Sequence, residues 1–189
     1  MVATESTVYF TDAMRGHVLA LSGEGVRPIS DIGMKNYFAD FTSEYLWRSL
    51  GTYDARKREY NLTLSKKYEP WQAVPFEQTT VSYSEYSKGW ASFKSFYPDQ
   101  GVSLNNRYYT FKNGLPWQHH VEAVANTSGS YNNFYGTQYT SDVTLLLNDL
   151  PSSVKSFSTI NYEGSKASTP HFQSVDNQNY FTGNHGVNA

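Results

Sequence analysis

The stretch from Val81 to Gly164 constrains this chain more than any other part of it. It opens VSYSEYSKGWASFKSFYPDQGVSLNNRYYTFKNGLPWQHH and ends VTLLLNDLPSSVKSFSTINYEG, so short runs of Tyr, Phe, Trp and Val are broken by Asn, Asp, Gly or Pro. Aromatic and β-branched residues suit the pleated, half-buried surface of strands, and the punctuating residues suit turns. Little in the stretch suits acid, base or metal chemistry. The pattern predicts short antiparallel strands that offer surface and rigidity.

The rest of the composition narrows the function classes. Fifteen Lys and Arg nearly balance seventeen Asp and Glu, for a formal charge of −2, so the basic footprint that phosphate neutralisation demands is missing and nucleic acid is not expected as a partner. With no cysteine, disulfides, thiolate catalysis and Cys-based zinc sites are excluded together. No apolar run approaches the roughly 20 residues of a membrane span, and the first residues lack the basic-then-apolar layout of a secretory signal, so a soluble chain is expected with no membrane partner. Sixteen Tyr, eleven Phe and four Trp are an excess that favours sheets and interfaces, where a ring has one dry edge and one wet one.

Along the chain, residues 1–66 read as a meander with one helix. Strands are expected at Thr7–Thr11, His17–Ser22 and Val26–Ser30, joined by turns at Asp12–Gly16 and Gly23–Gly25. Tyr37, Phe38, Phe41, Tyr45 and Leu46 then fall on one side of a helix between Ile32 and Leu46, with Asp31 able to cap its first turn. Strands resume at Trp47–Tyr53 and Glu59–Ser65, the second alternating Tyr60, Leu62 and Leu64 with polar residues. Residues 67–78, containing Pro70 and Pro75, are expected as a stiff connector. Residues 79–164 follow as an antiparallel sandwich or barrel-like part, with strands at Thr79–Ser84, Gly89–Phe96, Arg107–Lys112, Leu115–His120, Val143–Asn148 and Val154–Asn161. Asn113-Gly114 is the strongest hairpin signal in the chain. Residues 165–189 read as a polar tail or loop. Core anchors are expected at Val8, Phe10, Leu19, Phe38 and Leu62 in the first part, and at Trp90, Phe93, Phe111, Trp117 and Leu145 in the second.

The candidate chemistry is thin. Neighbours on a strand point to opposite faces, so His119 and His120 cannot chelate one ion; one ring is expected to pack and the other to meet water. Glycoside hydrolysis needs two carboxylates about 5–10 Å apart in a cleft. Asp40 and Glu44 sit one helical turn apart, while Glu69, Glu77, Glu85, Asp99, Asp142, Asp149 and Glu163 fall mostly in turns, and no pair stands out. No G-x-S-x-G occurs, and Gly23-Glu24-Gly25 lacks the further glycine and helix of a dinucleotide cradle. Trp71, Trp90 and Trp117 would suit a sugar-stacking platform, although core packing explains aromatic strands more simply. The sequons at Asn61 and Asn126 and the basic run Arg56-Lys57-Arg58 read as chance and as a solvated turn. No catalytic, cofactor-binding or metal residue is assigned, and no cofactor is expected.

An ordered series of motifs carries a family likeness. TVYFTDAMRGHVLALSGEGVRPISD at 7–31, GTYDARKREYNLTL at 51–64, VSYSEYSKGWASFKSF at 81–96, LNNRYYTFKNG at 104–114, NFYG at 133–136 and VTLLLNDLPSSVKSFSTINYEG at 143–164 resemble virion structural proteins of tailed bacteriophages, as found in marine and cyanobacterial phages. The resemblance implies a section of a longer tail, nozzle, neck or baseplate component with a propeller-like β body, in which the 7–30 meander is one blade. It implies a non-enzymatic role inside the virion, with other virion proteins or further copies of the chain as partners. The residues agree with that implication, because the strand aromatics exceed what one small core can hold and the surplus would bind neighbours. A carbohydrate-binding β module for a host surface glycan and a tail-associated polysaccharide hydrolase are the alternatives. The first expects exposed coplanar rings in a groove, the second paired carboxylates in a cleft.

Overall fold

The computed structural model describes residues 1–42, 46–66, 78–121, 131–144, 152–154 and 156. Met1–Asp142 forms one compact unit and Val143–Ala189 another. In the second, the described residues lie in neither helix nor strand. Most of the strands expected at Val143–Asn148 and Val154–Asn161, with Leu145 and the 165–189 tail, lies outside the described residues.

The first unit is mainly β and antiparallel, with one short helix among the described residues. Its first sheet runs β1 (Val2–Ala3), β2 (Val8–Asp12), β3 (His17–Ser22) and β4 (Gly25–Pro28) in sequence order. Helix α1 (Lys35–Thr42) leads to a second meander, β5 (Leu46–Asp54), β6 (Glu59–Lys66), β7 (Gln78–Ser84) and β8 (Gly89–Lys94). A third sheet of β9 (Gln100–Leu104), β10 (Arg107–Lys112) and β11 (Leu115–Gln118) follows, then a small hairpin of β12 (Asn133–Phe134) and β13 (Thr137–Gln138). Strands β6 and β7 pair along their length, from Glu59 opposite Ser84 to Ser65 opposite Gln78. Of the expected connector, residues 67–77 lie outside the described residues.

Turn chemistry sets the hairpins. Asn113 and Gly114 both take positive φ, 52° and 77°, the primed turn that matches strand twist, and Lys112 pairs with Leu115 across it. Asn105 and Asn106, at φ 52° and 57°, close β9 onto β10 in the same way. Strand β9 has no counterpart among the expected strands, because its inward residues are Gly101 and Ser103 rather than apolar ones. That smallness is what its place requires. A Cβ at Gly101 would come within 2.8 Å of the Thr52 side chain, and the Ser103 hydroxyl donates to Tyr53 O at 2.7 Å while accepting from Ala55 N at 3.0 Å. Strand β9 is therefore held against the open edge of β5 by a side chain standing in for backbone.

The main core lies between the first and second sheets. Tyr9, Val18 and Ala20 face Tyr60, Leu62, Leu64, Val81 and Tyr83, with Phe38 of α1 buried beside them. Tyr9 stacks on Tyr60 with ring centroids 4.5 Å apart and planes 11° from parallel. Phe38 and Leu62 are core anchors, as expected, but Val8, Phe10 and Leu19 are only half-buried, on the opposite face. Strand β2 is apolar on both sides. The inward side is the one where Tyr9 finds the Glu85 carboxylate for its hydroxyl at 2.7 Å and where Ala20 leaves room for rings.

The other anchors divide as sharply. Trp90 packs on this same core, placed opposite Tyr83 by a register shift at Ser82, and its indole N–H donates to Ile29 O at 2.9 Å. Phe93 is 61% exposed and Phe111 38%, so neither anchors the interior; buried Phe96 and Tyr108 do instead. Trp117 is half-buried. Asp31 does not cap the helix: α1 starts at Lys35, with Phe38 N donating to Met34 O, while the Asp31 carboxylate lies 3.5 Å from His17 Nδ1. The tight turn through Gly33, at φ +74°, separates Asp31 from the helix start.

Candidate functional site

The second sheet buries its other face as well, and that face is polar. Thr52 and Asp54 of β5, Asn61, Thr63 and Ser65 of β6, and Thr80, Ser82 and Ser84 of β7 are all buried there. Their polar atoms satisfy one another, as burial requires. Thr63 Oγ1 and Thr80 Oγ1 are 2.8 Å apart, Thr80 Oγ1 donates to Phe96 O at 2.6 Å, Ser82 Oγ donates to Asn61 Oδ1, and Thr52 Oγ1 meets the Tyr108 hydroxyl at 2.7 Å. Tyr108 belongs to the third sheet, so the Thr52–Tyr108 contact joins the two sheets. Burial pushes the Tyr108 hydroxyl pKa up, so it stays a neutral hydrogen-bonding group.

Where the second and third sheets splay apart, a cleft of about 840 Å³ opens. Asp54, Glu59, Asn61 and Lys94 line it from the second sheet, Tyr108 and Trp117 from the third, and residues 131–135 from the β12–β13 hairpin. The Asp54 side chain, 2% exposed as a residue, accepts from Arg56 N at 3.0 Å and Lys57 N at 3.3 Å through one oxygen and meets His120 Nε2 at 2.5 Å through the other. Burial alone would raise the Asp54 pKa, but the His120 contact and these amides outweigh it and hold the carboxyl below its ordinary value. Glu59, directly opposite Asp54 across the hairpin, is paired with Lys94 at 3.1 Å.

His119 turns inward. Its Nε2 lies 2.7 Å from Thr110 Oγ1, its ring centroid is 4.7 Å from that of Phe96, and burial, reinforced by His120, lowers its pKa to about 4. His119 is thus the packed ring. His120 is half-buried and tied to Asp54 rather than left to water. The strand ends at Gln118, short of the expected His120, and the positive φ of His120, 56°, re-aims the second ring.

This arrangement brings together residues that sequence reasoning kept apart. Asp54 and His120 are separated by 66 positions, and no local pattern links them. The cross-strand pair Asp54–Glu59 follows from the β5–β6 hairpin register, which was the one signal available. Asp54 is held ionised by His120 and the turn amides, and Glu59 is ion-paired with Lys94. Of the other carboxylates considered, Glu85 accepts the hydroxyls of Tyr9 and Tyr53 at 2.7 Å each, and Asp99 accepts Asn113 N at 2.9 Å. Trp71, Asn126, Glu44, Glu69, Glu77, Asp149 and Glu163 lie outside the described residues. Among the described residues, no three His, Asp or Glu converge as a metal site, and no helix is long and apolar enough to cross a membrane.

The two end sheets of the stack turn further apolar side chains outward. Val102, Leu104, Tyr109, Phe111 and Pro116 share the outer face of the third sheet, with Val102 and Leu104 well exposed. Val8, Phe10, Leu19, Leu21, Val26 and Pro28 share that of the first, with Leu21 and Val26 exposed. Faces of this kind mark contact surfaces more often than free ones.

Residues 129–188 match the family model of the Crassvirus muzzle protein C-terminal domain, about a third of the chain. No curated protein and no solved structure matches it. The match takes in the β12–β13 hairpin, whose Phe134 and Tyr135 line the cleft.

Proposed function

We propose that this chain is a non-enzymatic structural segment of a phage virion. The match of residues 129–188 to a Crassvirus muzzle C-terminal domain carries the reading. The apolar outer faces support it, since a segment built into a particle meets protein on both sides. Within that reading, the three sheets are successive blades of a propeller-like body in a tail or neck component. They follow one another in sequence order, each a meander, and the leading strand of the second, β5, runs close to both β1 and β9. Its partners are other virion proteins or further copies of itself. A glycan-binding module would instead present coplanar exposed rings, whereas Trp117 and Tyr135 in the cleft meet edge to face at 77°.

Mass spectrometry of density-purified particles from the phage that encodes the chain tests the reading. Peptides from both 1–142 and 143–189 are expected in the particle at the stoichiometry of a structural component. Peptides found in infected cells but washed away from purified particles would overturn it.

A further inference from the structure

Three sheets do not make a closed ring. Propellers close with about four to eight sheets around a central axis, whereas this chain supplies three meanders among its described residues, so its two end sheets each keep one face uncovered. Those faces are the apolar ones. Leu104 on the third sheet is 67% exposed and Val26 on the first is 57%, each beside further apolar side chains, and patches of this kind mark contact with another surface.

Charge indicates which surface covers them. Arg107 shares the outer face of the third sheet, opposite Leu104 at the turn after β9, and it is exposed with no ion-pair partner among the described residues. Glu5 and Glu24, in the β1–β2 and β3–β4 turns of the first sheet, are likewise exposed and unpaired among the described residues. These turns lie at the matching end. The successive sheets are aligned, because Ala55 in the turn after β5 donates to Ser103 near the end of β9, and Tyr9 near the start of β2 reaches Glu85 beside the β7–β8 turn. Another copy laid on the third sheet in that same alignment brings its Glu5 and Glu24 toward Arg107, with apolar face against apolar face.

We infer that two copies of this chain pair to close a ring of sheets, the third sheet of each laid on the first sheet of the other. Two copies bring six sheets, inside the range in which propellers close, and three copies bring nine, outside it. Two-fold symmetry then makes the contact twice, each patch meeting the other kind of patch and never its own. The inference rests on the propeller reading above.

Sedimentation equilibrium of the full chain at micromolar concentration tests it. The wild type is expected at twice the chain mass of 21.5 kDa, with no larger species. Leu104→Glu and Val26→Glu, one on each face, should each weaken the dimer by about tenfold or more, since either one buries an unpaired charge in both contacts. An equimolar mixture of these two variants should recover part of the dimer, because their unaltered faces meet in one of its two contacts. Arg107→Glu should also weaken pairing, and adding Glu5→Lys and Glu24→Lys should restore it in part. Unchanged far-ultraviolet circular dichroism establishes that each variant is folded. A monomeric wild type, an assembly larger than a dimer, a dimer broken by a substitution on one face only, or a mixture no better than its parts would each overturn the ring. A monomer that is nonetheless found in purified particles sinks the ring alone, whereas a dimer absent from particles supports the ring and sinks the virion reading.

Discussion

The two faces of the second sheet bury themselves by different physics. Toward the first sheet, β6 and β7 present Tyr60, Leu62, Leu64, Val81 and Tyr83 and gain stability from area removed from water. Toward the third sheet, the same two strands present Asn61, Thr63, Ser65, Thr80, Ser82 and Ser84, which are just as buried. Here burial depends on every hydroxyl finding a partner. One face tolerates changes of shape poorly, the other changes of polarity. The apolar face is a core in the ordinary sense, while the polar face is a lock whose parts must all be present.

The largest effect should come from cutting into the apolar face. Leu62 is fully buried at its centre, and Leu62→Ala is expected to cost about 2–5 kcal/mol in urea unfolding, through lost transfer energy and a cavity. A cost under about 1 kcal/mol would mean the two sheets relax onto each other and the contrast between the faces is overstated.

Next comes a pH effect confined to the polar side. His119 is held neutral, with its pKa lowered to about 4, while in the unfolded chain it takes a proton near its ordinary value of 6.5. Between those values the unfolded state binds the extra proton, so stability falls as pH drops, by a total on the order of 3 kcal/mol once pH is below both. Asp54 adds a separate window at lower pH. Its folded carboxyl titrates below the ordinary value of 3.8, so its contribution, present at neutral pH, is lost as pH falls through that depressed range. Unfolding free energies measured from pH 7 to 4 should therefore slope in the wild type and flatten in His119→Gln. An equal slope in both would show that burial does not hold this imidazole neutral.

A smaller effect sharpens the comparison most directly. Thr80→Val keeps shape but removes the hydroxyl that donates to Phe96 O and accepts from Thr63 Oγ1, leaving one buried acceptor and one buried donor short, at about 1–3 kcal/mol. Thr63→Val alone should cost less, because Thr80 keeps its bond to Phe96 O. The double variant should cost less than the sum of the two, since the shared bond is then lost only once. Strict additivity would show that these hydroxyls do not act as one network.

How much of this was legible in the residues follows the same division. Strands β3 and β10 occupy the expected residues, His17–Ser22 and Arg107–Lys112, and the Asn113-Gly114 hairpin forms, because local alternation and turn chemistry act within a few residues. Which side of β2 and β3 turns inward was not legible. Val8 and Phe10 look more apolar than Tyr9, but the distant Glu85 carboxylate that satisfies its hydroxyl, and the room Ala20 leaves, favour Tyr9 on the inward side. Strand β9 escaped notice because Gly101 and Ser103 serve the edge of β5, a partner some 50 residues away. The cleft was illegible for the same reason. Asp54, Lys94, Trp117 and His120 meet only once the second and third sheets are stacked, and nothing in any one segment announces it.

The smallest predicted effect asks whether the apolar face is apolar throughout. Tyr9 and Tyr83 lie on its two sides with rings 6.3 Å apart, yet their hydroxyls differ: that of Tyr9 donates to Glu85, while that of Tyr83 is buried with no partner. Tyr9→Phe removes a bond to a carboxylate that keeps Tyr53 as its second donor, and should cost about 1–2 kcal/mol. Tyr83→Phe removes only an unmet desolvation penalty, so it should be neutral or stabilise by up to about 1 kcal/mol. Burial raises the Tyr83 phenol pKa, which leaves no ionised form at neutral pH to complicate the comparison. Thermal melts of the two variants side by side decide the matter, and equal losses would mean that hydroxyl satisfaction, not area, governs this face as well as the other.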